Sequence, residues 1–453
     1  MSSGSSTRGA TPAPDAAPAT APPPAPLRLR VERMGARGEG EAAPEGGEAG
    51  GAPRRVALAL PGELVEAEPD ESGARWRAAA ILESSPEREK PFCPVFGRCG
   101  GCALQHWRVE AQSEWKRARV REALARVGLE APVEPALVAH GAGRRRATLH
   151  VRGRPGAAVA GFMAARSHDL VPIEFCPILE PGFADDAPRA AAALGGVLLG
   201  PKHPVDALVT RLDGGRLDVD LRGSGRPDER TRARLVEAAS RVPRLARASV
   251  HGRMAAQLAD PVLTVAGVRM RPPPGAFLQA TAAGEAALCA FVDEALATLR
   301  RPAAIADLFC GVGPFALTAA RRAPVAAFDL DAPAIEALRA AAKSAGLRPV
   351  SATARDLFRR PLTDAELDGF DAVILDPPRA GAEAQARQLA RSRVPLVVSL
   401  ACDVASFARD AAILASGGYR LERVRPVDQF AHAAHVEIAA VLRRSGPAAR
   451  AAR

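Results

Sequence analysis

Asp307-Leu-Phe309-Cys-Gly311-Val-Gly313-Pro-Phe315 is the stretch from which the fold of this chain can be read. It closes the apolar run Ala303-Ala-Ile-Ala, so it stands where a buried strand should turn into a helix. Its glycines let the backbone approach a ligand closely. Further apolar runs follow, Val325-Ala-Ala-Phe-Asp329, Ala372-Val-Ile-Leu-Asp376 and Leu396-Val-Val-Ser-Leu400, each succeeded by a helix-like stretch. That alternation, beginning near Pro273, predicts an α/β domain: a mostly parallel sheet wrapped by helices. A lone Gly-x-Gly also suits an ordinary tight turn. The chain, however, lacks both a third glycine at the dinucleotide spacing and the Gly-Lys-Ser/Thr of a phosphate-binding loop. A nucleoside cofactor without phosphates, S-adenosylmethionine, fits better. Asp329 falls where a ribose diol would be held. Asp356, after the next strand, is either an adenine contact or a solvated loop acid. Asp376-Pro-Pro-Arg379 ends the fourth strand beside the expected crevice and is read as aiming Asp376 and Arg379 into it, or as a rigid connection.

Cys402, in Val397-Val-Ser-Leu-Ala-Cys402-Asp-Val, closes the fifth run at the same sheet edge. The helix that follows would favour a thiolate through its N-terminal dipole. Cys289 and Cys310 read as core thiols. In His435-Val-Glu437-Ile-Ala-Ala-Val-Leu442 an acid interrupts an apolar strand, which calls for a salt bridge or a task. A thiol, a carboxylate and a methyl donor make one chemistry: methylation at C5 of a pyrimidine. That carbon becomes nucleophilic only after a thiolate adds at C6, and a base must then take the C5 proton.

A second cysteine group precedes this domain. Cys93, Cys99 and Cys102 stand in Cys-Pro-Val-Phe-Gly-Arg-Cys-Gly-Gly-Cys, and Cys176 lies further on in Glu-Phe-Cys-Pro-Ile-Leu. The Gly-Gly allows converging thiols, which suits zinc or an iron–sulfur cluster. Disulfides are the alternative, but the odd total of seven cysteines and the absence of an apolar leader argue for a reducing compartment, the cytoplasm. No apolar run reaches membrane-spanning length. The chain of 453 residues carries 61 basic and 51 acidic groups, a net charge of +10, with runs such as Lys116-Arg117-Ala-Arg119 and Arg144-Arg145-Arg146. Such charge suits a polyanion, and equally an arginine-rich genome. With one Tyr and three Trp, base-stacking surfaces would have to come from Phe and Arg.

Five segments are expected: a disordered tail over 1–25, a small β-barrel over 26–85, an α+β central domain over 86–265, the α/β domain over 266–444 and a disordered tail over 445–453. Trp107–Val127 reads as a helix, with Val120, Leu124 and Val127 on one face.

Taken together, these motifs resemble the bacterial RNA (uracil-C5) methyltransferases, specifically the branch that carries an iron–sulfur cluster and acts on 23S ribosomal RNA. The resemblance spans about residues 27–443. It implies a TRAM-type RNA-binding barrel, a [4Fe–4S] cluster on Cys93, Cys99, Cys102 and Cys176, and a Rossmann-like domain. It also implies that Gln279, Phe309, Gly311, Gly313, Asp329, Asp356 and Asp376 line the S-adenosylmethionine site, with Cys402 as nucleophile and Glu437 as base. Candidate RNA contacts are Arg144–Arg146, Ser167, His168 and Arg379. The family's Ser-Cys-Asn-Pro is here Ala401-Cys402-Asp403-Val404, Thr281 stands where an Asn is usual, and the Asn-rich stretch after the second strand is Ala341-Ala-Lys-Ser-Ala-Gly. A transfer-RNA enzyme, or a non-catalytic RNA-binding factor, are the competing readings. No protein partner is implied, and a monomer is expected.

Overall fold

The computed structural model describes residues 26–46, 53–70, 75–154, 156–200 and 204–445. The tails expected to be disordered lie outside these residues, apart from Ser445. The chain divides into two compact units.

The first unit, ending at Ser85, is a closed barrel of five strands: Leu27–Met34, Gly40–Pro44, Arg54–Ala57, Leu64–Pro69 and Trp76–Glu83 (β1–β5). In β1, Leu29 and Val31 point inward while Arg28 and Arg30 face out, the two-residue period of a half-buried strand. They meet Val56, Val65, Ala67 and Trp76 in a small core. The barrel departs from pure antiparallel pairing: β3 and β5 run parallel, which lets β5 lie between β3 and β4 and complete the ring.

The second unit opens with a helix, Val109–Arg126 (α1), and a short strand, Leu137–Val138 (β6). A seven-stranded sheet follows, built from Arg146–Arg154, Ala157–Met163, Leu170–Pro172, Val205–Arg211, Leu217–Arg222, Leu245–Val250 and Arg253–Gln257 (β7–β13). Its apolar face carries Leu149, Val151, Val209 and Val219 and packs against Phe183–Leu198 (α2) and Glu229–Arg241 (α3). The hairpin Leu263–Val265 and Val268–Met270 (β14, β15) and helix Ala282–Leu296 (α4) lead to the last sheet.

That sheet interleaves Ile305–Leu308 (β16), Pro314–Ala319 (α5), Val325–Asp329 (β17), Ala332–Ser344 (α6), Val350–Ala354 (β18), Asp364–Leu367 (α7), Ala372–Leu375 (β19), Glu383–Arg391 (α8), Leu396–Ala401 (β20), Val404–Ser416 (α9), Tyr419–Asp428 (β21) and Glu437–Arg444 (β22). Its order is β18-β17-β16-β19-β20-β22-β21-β6. Strands β16 to β20 are parallel, as the sequence predicts, and β22 inserts antiparallel between β20 and β21. Every residue of β16, β19 and β20 is buried, because helices cover both faces. This explains why the strands read as unbroken apolar runs. The strand order reverses between β16 and β19, where open α/β sheets bind ligands beyond the carboxyl ends. The earlier segment also joins this sheet: β6 pairs with β21, and α1 packs on α9 and β21. Among the described residues no helix is long and apolar enough to cross a membrane.

Candidate active site

Three carboxylates gather at the switch point. Asp307 lies within β16, and the parallel register sets Asp329 and Asp376 just past the partners of Leu308 on β17 and β19. Asp307 is fully buried and neither of its oxygens makes a hydrogen bond. Burial and the nearby Asp376 hold its carboxyl well above the usual range. Asp376 is raised likewise, by burial first and then by Glu437 and Asp329. An acidic floor with unmatched acceptors suits a cationic ligand, and a sulfonium carrying an ammonium group is one.

The loop above this floor is shaped for close approach. Gly311, at φ +53°, would point a side chain into open space, so a ligand can approach its backbone closely. Gly313 has a different reason: at φ +82° any Cβ would lie 2.4 Å from Leu338 of α6. Asp329 grips the loop, accepting from the Gly311 N–H at 2.9 Å and from the Asp331 N–H at 2.8 Å. Phe309 takes a left-handed φ of +64° and packs on exposed Phe358, ring centroids 5.3 Å apart. Asp356 accepts from the Phe358 and Arg359 N–H groups of its own turn, both at 3.1 Å, and so fixes the turn that carries Phe358. The residues thus fit a nucleoside-bearing sulfonium in the donor types they offer and in the space at Gly311.

Cys402 and Glu437 are brought together by the β20–β22 ladder. Its last pair is Ala401 with Ile438, and one further step sets Cys402 opposite Glu437. Side chains directly opposite each other share a face of the sheet. Glu437 is buried, and its carboxyl is pushed up to about 7 by burial, against the Gln429 amide and Arg379. Gln429 also donates to the Gln279 side chain at 2.7 Å, which ties the Gln279 segment to the same spot. The Cys402 thiol is pushed up to about 12 by burial, then by Glu437 and Asp376, with Arg379 opposing. Burial and two carboxylates thus act against the thiolate expected from the helix dipole. The N–H groups that open α9 are taken by the Asp403 carboxylate, which accepts from Ala405 at 3.0 Å and Ser406 at 2.9 Å. Asp403 therefore does the N-cap work that an Asn can also do, and Thr281 likewise caps α4 through Gly284 at 2.8 Å. Arg379 is exposed and hydrogen-bonds His435 at 3.1 Å. Burial, Arg379 and three further cations hold that imidazole down at about 4.

Cys93, Cys99, Cys102 and Cys176 line one cavity of about 330 Å³, which extends to Gln279, Gln429 and Glu437. All seven cysteines are free. Burial pushes the Cys176 thiol up to about 12, and Cys102, Cys99 and Cys93 each add to the rise, so the four sit within one another's field. Among the described residues no three His, Cys, Asp or Glu side chains stand close enough to share a single metal ion. A four-iron cluster asks for a wider set, since each thiolate binds its own iron. The four thiols are the donor type that such a cluster uses.

Arg144 and Arg146 also line this cavity, over the Phe430 and Phe277 rings at 5.4 and 5.6 Å, and the Nε of each lacks a hydrogen-bond partner. Arg145 does not join them: it is buried against Glu285 at 2.6 Å, so it is no candidate for RNA contact. Ser167 donates to Asp169 at 2.7 Å and His168 is exposed, in a turn whose Ala164 bridges to Cys99. The basic run of α1 is not a free polyanion surface either. Lys116 is fully buried on Asp428 at 2.6 Å, Arg117 donates to the Val133 carbonyl and Arg119 to that of Ala434. Lys116 also donates to the Phe430 carbonyl at 3.1 Å, so α1 anchors the loop that presents Phe430 and His435.

This sheet order, glycine loop and edge chemistry define the fold of the S-adenosylmethionine-dependent methyltransferases. The family model for tRNA (Uracil-5-)-methyltransferase matches residues 249–445. A protein named as an uncharacterized RNA methyltransferase of Caulobacter vibrioides is 41% identical, covering 92% of this chain and 99% of its own length. The 23S rRNA (uracil(1939)-C(5))-methyltransferase RlmD of Chromohalobacter salexigens is 36% identical, covering 93% and 90%. Among solved structures, the tRNA (uracil-54, C5)-methyltransferase of Pyrococcus abyssi, in complex with S-adenosyl-L-homocysteine, aligns with a TM-score of 0.67 at 22% identity, over 92% of this chain and 100% of that one. This chain belongs to the RNA (uracil-C5) methyltransferase family, and it is an RNA methyltransferase.

Proposed function

We propose that this enzyme methylates C5 of a uridine in 23S ribosomal RNA through a covalent adduct, with Cys402 as nucleophile and Glu437 as base. The observation that supports the reading is the β20–β22 register, whose last pair, Ala401 with Ile438, adjoins both Cys402 and Glu437, together with the mutual influence of Cys402, Glu437 and Asp376. When bound, S-adenosylmethionine supplies the electrophilic methyl group; Phe309, Gly311, Gly313, Asp329 and Asp376 would hold it, with Asp356 placing Phe358. The Cys402 thiolate, formed by loss of the thiol proton to solvent, adds to C6, and the electrons of the C5–C6 double bond move toward O4 as an enolate. C5 then takes the methyl group. Glu437 removes the C5 proton, the sulfur–C6 bond breaks, and the double bond returns with the thiolate as leaving group. A carboxyl near 7 stands at the pH where a general base is most effective. Arg379 is the cation that favours the thiolate. Gln279, held by Gln429, would line the same cofactor site.

The choice of ribosomal RNA is supported by relatives named for 23S rRNA at 36% identity and by the four thiols. Cys93, Cys99, Cys102 and Cys176 would hold a [4Fe–4S] cluster that shapes the RNA-facing wall of the cavity. Such an enzyme would work in the cytoplasm.

The test is RNA carrying 5-fluorouridine, from which the C5 substituent cannot leave as a proton. With methyl donor present, a 23S rRNA fragment should form a stable adduct with the wild type and none with Cys402→Ala. An adduct with transfer RNA alone would move the substrate, and no adduct with either would overturn the mechanism. Anaerobic purification followed by iron and sulfide analysis tests the cluster, and stoichiometric zinc would refute it.

A further inference from the structure

Aromatic surface in this chain is scarce and placed unevenly. Its one tyrosine, Tyr419, is buried, as are Trp76 and Trp107, while half-buried Trp115 lies under Arg119. The exposed rings are Phe92, Phe175, Phe277 and Phe358. Three of them are engaged: Phe92 meets His432 edge-on, Phe277 carries Arg146, and Phe358 packs on Phe309. Phe175 is 50% exposed, and among the described residues no ring or guanidinium lies on it. It is also not idle surface, because it lines the cavity that holds Glu437 at its catalytic end and the four thiols elsewhere. Arg144 and Arg146 in the same cavity have no carboxylate within ion-pair distance among the described residues. A free π-face beside unmatched cations matches single-stranded RNA, which offers bases for stacking and phosphates for charge.

We propose that Phe175 is a stacking platform for an RNA base neighbouring the target uridine, on the cysteine side of the cavity. The target base itself must reach Glu437 and Cys402, so the base on Phe175 is a different one. The proposal rests on the reading above that this cavity receives RNA.

The probe is fluorescein-labelled decauridine, bound to anaerobically purified full-length holoenzyme and followed by anisotropy. Base–aromatic stacking predicts that Phe175→Ala weakens binding roughly ten- to hundred-fold. Phe175→Leu keeps the apolar cover but not the ring, and should lose most of the same affinity. Phe175→Trp should bind as wild type, with indole fluorescence quenched by the RNA. Wild-type affinity in both the Ala and Leu variants would overturn the proposal. So would faster bleaching of cluster absorbance in air without a change in affinity, which would make Phe175 a shield for the thiols. Decauridine binding is measured without methyl donor and does not require turnover. Failure of the 5-fluorouridine trap would therefore leave this measurement standing, and a working trap with wild-type affinity in Phe175→Ala would overturn this proposal alone.

Discussion

Replacing Glu437 by Gln should make the protein slower and more stable at once. Burial lifts this carboxyl from an ordinary 4.5 to about 7. At ~1.4 kcal/mol for each tenfold change in proton affinity, that rise is worth about 3 kcal/mol. The sign follows from where the proton sits. Below 4.5 the carboxyl is neutral in both folded and unfolded chains, and nothing is lost. Between 4.5 and 7 the unfolded chain ionises while the folded one stays neutral, so folding weakens as pH rises. Above 7 the buried charge is present in full and so is its cost. A neutral Gln escapes that cost while keeping a partner for Gln429. The assay is apparent melting temperature of wild type and Glu437→Gln from pH 5 to pH 8. The curves should differ by less than ~1 kcal/mol near pH 5 and separate with rising pH, the variant gaining about 3 kcal/mol by pH 8, which is several degrees for a chain of this size. Turnover should fall by roughly 10²–10⁴-fold, the usual contribution of a general base. A variant no more stable than wild type at pH 8 would refute the claim that Glu437 is held in a costly environment for its task.

Other outcomes follow from single contacts. Lys116→Met leaves the Asp428 carboxylate buried without its cation and should cost about 3–5 kcal/mol in a urea melt, with part recovered by adding Asp428→Asn. Asp403→Ala removes the α9 cap and should lower stability by about 1 kcal/mol, while Asp403→Asn should match wild type in the same measurement. Gly313→Ala combines a left-handed backbone with a 2.4 Å approach to Leu338, so it should lower the melting temperature and weaken cofactor binding measured by calorimetry.

Much of this was legible in the sequence because buried parallel strands advertise themselves. β16, β19 and β20 are covered on both faces, so their composition is apolar without interruption, and the acids at their ends stand out. The Gly311 loop and the Glu437 interruption were readable for that reason. What pairs with what was not readable. Lys116 sits in a run of basic residues and looks like solvated surface, but its partner Asp428 is 312 positions away. The parallel β3–β5 pairing leaves no mark on periodicity. The thiol of Cys402 was expected to be acidified by its helix, and the neighbouring Asp403 carried the contrary signal, since a side chain that caps a helix occupies the very N–H groups a thiolate would use.

The β20–β22 ladder has a consequence for how this chemistry can change over generations. The placing of Cys402 near Glu437 follows from the backbone register of β20 on β22, whose last pair adjoins both residues. Parity is what the arrangement cannot tolerate. A single residue inserted within either strand would turn one reactive group to the opposite face of the sheet. Two inserted residues would restore the facing but slide the groups ~6.6 Å past each other. Length changes within these two strands would therefore separate the thiol from the carboxylate, whatever the side chains around them.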